Sequence, residues 1–243
     1  MSSESRKEQR KWVFKEKAGL GVLGVGFRGK IENGDKLTAV KKNYIRKERL
    51  AAITYRISDK AIERVLQFIE EFDKKDDTGH LPSGYYGGAF WPLYENEGSG
   101  CTAFGMAMLE LVGVDLSEID SWRHDVNIPM NLIGGELNPT NVVKIRDVKK
   151  SESWHNGIGT ANFDFVQYSI YDPSLIFNWI LKKLSGSEKN TSLIYYDAKT
   201  HTTPHLYADL SGIEIDHKSP IFRPRYDENL FILYFFKEQR YFR

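Results

Sequence analysis

Residues 102–112 set the strongest limit on the fold, because they are apolar on almost every side. The apolar members of this stretch are Ala103, Phe104, Met106, Ala107, Met108, Leu109, Leu111 and Val112. A helix with apolar side chains all round must be covered on several faces. Gly113 follows directly, and glycine commonly ends a helix. The sequence therefore predicts a buried helix that stops at Gly113.

Two further helices are indicated by their start signals. Ser58 is a good N-cap, and the apolar residues after it recur at helical spacing as far as Phe72. Asp172 and Pro173 suit the N-cap and the first helical position of another helix, and the lysines at 182–183 favour its C-terminal end. We expect helices over 58–72 and from 172 to about 184.

Short alternating segments predict strands, mainly in the second half of the chain. They are separated by turns rather than by regular crossover helices, which favours an α+β fold over a doubly wound parallel sheet. We expect the helix over 102–112 to pack on a mainly antiparallel sheet, with the helix over 58–72 covering one side. The predicted strands are 142–148, 163–170, 193–196, 205–210 and 230–236.

The glycines in residues 19–26 have the spacing of a dinucleotide-binding fingerprint. That fingerprint needs a helix after the glycines, whereas here Asn33-Gly34 stands between two strand-like segments. Asn-Gly is a strong signal for a β-hairpin turn. The sequence predicts a hairpin over 19–40 that binds no nucleotide.

Charge and composition exclude several classes of protein. The 243 residues carry 34 Lys and Arg against 33 Asp and Glu, which does not favour a nucleic-acid binder. Residues 1–50 nevertheless hold 14 basic and 6 acidic side chains. The longest apolar runs are too short for a transmembrane helix, which needs about 20 residues. The charged N-terminal segment has no apolar region typical of a secretion signal.

Residues 98–101 bring the single cysteine of the chain to the predicted start of the apolar helix. Gly98 and Gly100 leave room for a substrate backbone beside Cys101. The helix dipole and the free amides at a helix N-terminus favour a thiolate, and the amides can stabilise an oxyanion. Two interpretations stay open: Cys101 is a nucleophile, or it is a small core hydrophobe, the common fate of a free cysteine.

The segment Cys101-Thr102-Ala103-Phe104, on an apolar helix ending in glycine, resembles the nucleophile helix of the papain-like superfamily. The resemblance is to its NlpC-type cell-wall peptidase branch and its lecithin-retinol-acyltransferase-like branch. The amphipathic helix after Tyr55-Arg-Ile-Ser58 and the Tyr-Tyr-Gly loop are similar to bacterial envelope proteins of this superfamily that carry Asn-Cys-Thr. Gly100 stands in the place of that Asn. The resemblance implies a papain-like α+β fold with a buried nucleophile helix, and a cysteine-dependent hydrolase or acyltransferase acting on an amide or ester.

A thiol nucleophile needs a base, and imidazole is the usual one. The peptidase branch places a histidine after the cysteine, at the start of a strand, and His155 fits this position best. The acyltransferase branch places it well before the cysteine, where residues 19–40 contain none. His80 and His124 suit surface or capping roles. Groups that could orient the His155 ring are Asn162, Asp164 and Asp172.

The aromatic loop before Cys101 is expected to wall the site, with Tyr86, Trp91 and Gly100 binding substrate. The substrate classes left open are peptide, glycopeptide and lipid ester. We expect no cofactor and no metal: His201 and His205 have the spacing of a helical zinc site, but Pro204 between them blocks a helix.

We predict that the chain has three regions. They are a mobile basic tail over 1–11, a papain-like domain over 12–184, and a strand-rich C-terminal extension over 185–243 packed on that domain. Besides the enzyme, two functions remain open, a catalytically inactive papain-like binding module and a structural or interaction protein. We expect a periplasmic or envelope location if a signal peptide has been removed, and a cytoplasmic one otherwise.

Overall fold

The computed structural model describes residues 2–3, 6–32, 34–77, 79–186, 195–197, 203–216, 218–227 and 229–233. The α-helices of this part of the chain are α1 (Arg6–Phe14), α2 (Gly34–Arg46), α3 (Asp59–Phe72), α4 (Cys101–Leu111), α5 (Ile145–Lys150) and α6 (Pro173–Leu184). The strands are β1 (Ser2–Ser3), β2 (Phe27–Lys30), β3 (Ala52–Arg56), β4 (Tyr85–Tyr86), β5 (Arg123–Pro129), β6 (Phe165–Tyr171), β7 (Tyr195–Asp197) and β8 (His205–Asp209).

The fold mixes helices and sheets, which confirms the α+β class. The strands form three small sheets with the orders β1-β2-β4, β3-β8-β7 and β5-β6. Strand β3 is parallel to β8, and the other pairings between these strands are antiparallel. Because β8 pairs with β3, the C-terminal segment is joined to the first half of the chain.

Helix α4 contacts elements from both halves of the chain. It packs against α3 and against β6, the second strand of the antiparallel β5–β6 pair. The Phe104 ring lies 5.6 Å from Phe68 and 5.5 Å from Phe72, ring centre to ring centre. Met106, Ala107 and Leu111 of α4 are buried in the two clusters that surround the helix.

The end of α4 follows the prediction. Gly113 has a φ of +86°, and its N–H donates to the Glu110 carbonyl while the Val114 N–H donates to the Leu109 carbonyl. This pair of hydrogen bonds is a Schellman motif, which glycine suits because it adopts positive φ without strain. The start of α3 is also as predicted, since the Ser58 hydroxyl accepts a hydrogen bond from the Ala61 N–H.

The hairpin predicted over 19–40 is wrong. Residues 20–23 form a 3₁₀ turn, β2 follows, and α2 occupies the place of the second strand. Asn33 lies outside the described residues. Gly24 is required by packing rather than by a turn, because a Cβ there would lie 1.9 Å from the ring of Phe231. Glycine spacing alone does not distinguish these two causes.

Two other predicted strands are also wrong. Residues 145–150 are helical, because the Asp147 carboxylate accepts from the Lys144 N–H and closes the first turn of α5. Residues 230–233 are helical as well, and the Leu233 N–H donates to the Asn229 carbonyl. The rest of that predicted strand, 234–236, lies outside the described residues.

Residues 6–11 are part of α1, which crosses the predicted boundary at residue 11. Trp12 is buried against Ala18, Ile133 and other residues of one hydrophobic cluster and anchors this helix. The mobility of the basic tail stays a prediction. Among the helices that the structure describes, none is both long and apolar enough to span a membrane.

Candidate functional site

A cavity of about 510 Å³ opens at the N-terminal end of α4. Its walls come from the aromatic loop before α4, from β6, and from the segment around residues 223–229. Predicted site residues Tyr86, Trp91, Gly100 and Cys101 all line it. The structure therefore brings four of the five predicted site residues together in one pocket.

Cys101 is the first residue of α4, and its side chain is exposed to the cavity. Gly100 is the N-cap and has no side chain with which to bond the first amides of the helix. Backbone amides at such an end are available to a bound anion. The interpretation of Cys101 as a core hydrophobe is wrong for the folded chain, because the residue is not buried.

The glycines before the cysteine are explained by close packing of the loop. A Cβ at Gly98 would lie 2.2 Å from the carbonyl oxygen of Tyr85, and the neighbouring Ser99 N–H donates to the same oxygen over 3.0 Å. A Cβ at Gly100 would lie 3.3 Å from the Gly87 carbonyl. The loop thus folds back on the Tyr85–Gly87 segment, and this contact places the thiol beside Tyr86.

The Cys101 sulfur has two hydrogen-bond partners in the described structure. The Tyr86 hydroxyl donates to Sγ over 3.9 Å, and the Thr102 hydroxyl lies 3.7 Å away. Burial, followed by the nearby Cys101 thiol, raises the pKa of Tyr86 to about 12. The phenol is therefore protonated near neutral pH, so that Tyr86 serves as a hydrogen-bond donor to sulfur and cannot accept its proton.

His155 does not line this cavity. Its backbone N–H donates to the Asn127 carbonyl, its ring stacks on Phe165 at 4.8 Å, and its Nδ1 accepts from the Gly157 N–H. The ring is thus engaged with its own loop and with the end of β6. The structure describes no hydrogen bond between His155 and Cys101, and His155 as base stays a prediction.

No histidine in the described part of the chain lines the cavity. His80 bonds to the Asn96 carbonyl and His205 to the Thr54 hydroxyl, while His124 lies 3.3 Å from the Asp172 carboxylate. His201 and His217 lie outside the described residues.

Of the three groups expected to orient an imidazole, Asn162 lines the cavity. Its side-chain oxygen accepts a hydrogen bond from the Leu230 N–H over 3.2 Å. Asp164 accepts from the Thr160 N–H instead, and Asp172 caps α6. Hydrogen bonds from Ser174 lower the pKa of Asp172. The groups expected to orient an imidazole therefore have structural partners of their own.

Three arginine side chains line the cavity that the sequence did not predict as site residues. These are Arg123, Arg223 and Arg225. Arg223 pairs with Glu110 at 2.5 Å, and Arg123 pairs with Asp125 at 2.9 Å. Their side chains are 48% and 35% exposed, so both can still approach a ligand. No spacing in the sequence links Arg123 to residues a hundred positions later, which is why they were missed.

The third guanidinium, that of Arg225, holds the aromatic loop in place. It donates to both oxygens of Glu97 at 2.5 and 3.0 Å, and lies 4.3 Å from the centre of the Tyr94 ring. The Glu97 carboxylate also accepts a hydrogen bond from the Trp91 N–H over 3.0 Å. Burial raises the pKa of Glu97, and its hydrogen bonds to Arg225 oppose that rise.

This clamp fixes Trp91, whose ring lies 5.9 Å from that of Tyr171 on β6. Both rings line the cavity and give it an apolar wall, while Asn162, Gln167 and Ser169 supply polar groups. An apolar wall with a few polar and cationic groups is typical of a small-ligand or peptide site. Within the described residues, His, Cys, Asp and Glu side chains form no group of three that could hold a metal ion.

The chain was compared with protein-family models, with curated proteins and with solved structures, and none of the three comparisons gives a match.

Proposed function

We propose that the chain is a papain-like module that binds a peptide-type ligand in the Cys101 cavity without histidine-dependent catalysis. The observation that carries this proposal is a thiol at a helix N-terminus in a cavity of about 510 Å³ whose described lining contains no histidine. Without a base within hydrogen-bond reach, a thiol near neutral pH has no group to take and return its proton.

The papain-like assignment is supported by the position of the cysteine. Cys101 begins α4, and α4 packs on α3 and on the antiparallel β5–β6 pair. The resemblance around Cys101-Thr102-Ala103-Phe104 implies a nucleophile-type helix against an antiparallel sheet, and the contact of α4 with β6 supports the proposal.

The chemistry of the walls favours a ligand with apolar side chains and a carboxylate. Trp91 and Tyr171 offer aromatic surface, and the polar lining residues offer hydrogen bonds to a peptide backbone. Arg223 lines the cavity with a side chain that is 48% exposed, and it can bind a ligand carboxylate beside its Glu110 partner. A peptide or glycopeptide with a free carboxylate combines these features.

Calorimetric titration with cell-wall peptide fragments tests this proposal. We expect fragments with a free carboxylate to bind and their amidated counterparts to bind at least tenfold more weakly. Trp91→Ala should abolish binding, whereas the matched control Trp154→Ala should not, because Trp154 is 50% exposed and does not line the cavity. Equal affinity for both kinds of fragment, or no binding at all, would contradict the proposal.

A cysteine-dependent hydrolase or acyltransferase is the second candidate, and one observation favours it. The thiol is exposed in a cavity, beside uncapped helix amides and a Tyr86 hydroxyl that can donate to it. Turnover of peptides or acyl esters that is lost in Cys101→Ser, with an unchanged melting temperature, would establish this activity and replace the binding proposal. Rapid reaction of Cys101 with a small thiol reagent would accompany it.

A further inference from the structure

Helix α2 (Gly34–Arg46) lies outside the core of the protein. It contains no buried residue, and every position from 34 to 42 is exposed. An isolated helix shorter than about 12–15 residues is only marginally stable in water, and most helices in proteins depend on the packing of an apolar face. Since none of its 13 residues is buried by the part of the chain that the structure describes, α2 has a face that is available to a partner.

That face is apolar. Leu37, Val40 and Tyr44 follow one another at the i, i+3 and i+7 positions, which lie on one side of a helix. Leu37 is 52% exposed, Val40 45% and Tyr44 46%. The three form a continuous exposed stripe, which we call the α2 stripe.

Basic side chains border the α2 stripe. Lys36 and Lys41 lie one helical turn from Val40 and Leu37 respectively, and Lys47 follows Tyr44 by three residues. Residues 34–49 contain six basic side chains, Lys36, Lys41, Lys42, Arg46, Lys47 and Arg49, against the acidic Asp35 and Glu48. Neither Lys41 nor Lys42 forms a salt bridge with another described residue.

We propose that α2 lies in the surface of an anionic lipid membrane, with the α2 stripe in the boundary between headgroups and acyl chains. An apolar stripe flanked by lysines is the pattern of helices that bind in the plane of such a surface. Lysine stems extend along the apolar stripe while their ammonium groups reach the lipid phosphates. Tyr44 suits the same boundary, since its ring is apolar and its hydroxyl is polar.

Charge distinguishes this surface from the alternatives. The lysines could bind the phosphates of a nucleic acid, but the α2 stripe would stay exposed to water, because the phosphate backbone has no apolar surface to cover it. A neutral bilayer would cover the stripe without using the excess of positive charge. An anionic bilayer matches both properties, and its surface potential attracts each basic residue within the screening distance of the salt. The proposal is independent of the Cys101 cavity.

Sedimentation with lipid vesicles tests the proposal. The probes are vesicles of phosphatidylcholine alone and vesicles of an equal mixture of phosphatidylcholine and phosphatidylserine. We expect the full chain to bind the mixed vesicles at least tenfold more tightly than the neutral ones, and to be released by high salt. No binding to the mixed vesicles, or equal binding to both, overturns the proposal.

Paired variants assign the binding to α2. Leu37→Ser/Tyr44→Ser removes most of the α2 stripe, and Lys41→Glu/Lys42→Glu reverses its charge; each should weaken binding at least tenfold. The controls are Leu66→Ser on α3, where Leu66 is 59% exposed, and Lys74→Glu/Lys75→Glu on an exposed loop. Circular dichroism verifies that each variant folds. Equal losses in the α2 variants and the controls contradict the assignment.

A second copy of the chain is the competing occupant of the α2 stripe. Light scattering over a range of protein concentrations detects it. A dimer that is dissociated by Leu37→Ser/Tyr44→Ser, together with no vesicle binding, would show that α2 pairs with another chain and would overturn the membrane proposal. A monomer that binds the mixed vesicles supports it.

Discussion

Helices α4 and α2 are similar in length, 11 and 13 residues, and opposite in environment. Helix α4 is almost wholly apolar and is packed by α3, β6 and two hydrophobic clusters. Helix α2 has a narrow apolar stripe among lysines, and no residue in it is buried by the described part of the chain. The two helices therefore differ in role: α4 packs against α3 and β6 and presents a thiol, while α2 faces outward.

The difference also shows how each helix depends on its surroundings. The loop before α4 is fixed by the buried Glu97–Arg225 pair, whose side chains are 0% and 13% exposed. A Glu32–Lys36 pair joins the segment before α2 to its first turn, and these side chains are 15% and 65% exposed. Burial increases the consequence of losing one partner of an ion pair, because the remaining charge has no water to solvate it.

The largest expected difference in the free energy of unfolding is between variants of these two ion pairs. Glu97→Gln should lower the free energy of unfolding by about 3–5 kcal/mol, since the largely buried Arg225 guanidinium then keeps only the exposed Asp227 as a carboxylate partner among the described residues. Glu32→Gln, the matched change, should lower it by about 0–1 kcal/mol. Urea unfolding of both variants measures the difference. Similar values for the two would show that the loop before α4 does not depend on its clamp.

Next is the loss of one leucine from each helix. Leu111→Ala in α4 should lower the free energy of unfolding by about 2–4 kcal/mol, because it leaves a cavity in the cluster that contains Phe68 and Phe72. Leu37→Ala in α2 should change it by less than about 0.5 kcal/mol, since the side chain is already exposed. A large effect at Leu37 would contradict the exposed position of α2.

A smaller effect is expected from two glycines with positive φ. Gly113, after α4, has a φ of +86°, and Gly34, at the start of α2, has a φ of +62°. An alanine Cβ at 113 would lie 2.6 Å from Ile213, whereas at 34 it would meet nothing within 4 Å. Both Gly→Ala variants introduce backbone strain, but Gly113→Ala should cost about 1–3 kcal/mol more through overpacking. Thermal unfolding compares them, and equal costs would contradict this.

The smallest expected effect is a pH dependence of the stability of the fold, which arises from Tyr86 on the pocket side of α4. The pKa of Tyr86 is raised to about 12 from its usual 10.0, so the folded chain keeps this proton longer than the unfolded one. The stability linked to Tyr86 is fully present below about pH 10 and is lost as the pH rises toward about 12. The chain should lose stability in this window more steeply than Tyr86→Phe.

Urea unfolding over this pH range measures how steeply the free energy of unfolding falls with pH in the unmodified chain and in Tyr86→Phe. Tyr226→Phe is the control, because the Tyr226 side chain is 88% exposed. A slope that changes as much in the control as in Tyr86→Phe would contradict the link between the pocket and the phenol.

Strong local signals led to correct predictions at several positions. The apolar residues of 102–112 and the stop at Gly113 predicted α4 and its end, and Ser58 predicted the start of α3. These features depend on neighbouring residues, which the sequence lists side by side. The grouping of Tyr86, Trp91, Gly100 and Cys101 was also predictable, because all four lie within sixteen residues of one another.

Predictions failed where distant residues determine the structure. Gly24 was assigned to a hairpin because the sequence does not reveal that Phe231 packs against it. Residues 36–40 were assigned to a strand. A run of three or four apolar and β-branched residues is too short to distinguish the two-residue period of a strand from the 3.6-residue period of a helix. Arg123, Arg223 and Arg225 were missed because only the fold places them around one cavity.

The sequence by itself determined that a helix begins at the single cysteine and ends before Gly113, that the class is α+β, and that the N-terminal fifty residues are basic. Only the tertiary structure decided what surrounds that cysteine: a tyrosine hydroxyl and three arginines line its cavity, while His155 lies against Phe165. It also decided that no described residue buries the apolar side chains of α2. The physical reason is that helix formation depends on local spacing, whereas the partners of a thiol or of an apolar stripe depend on contacts between residues far apart in the chain.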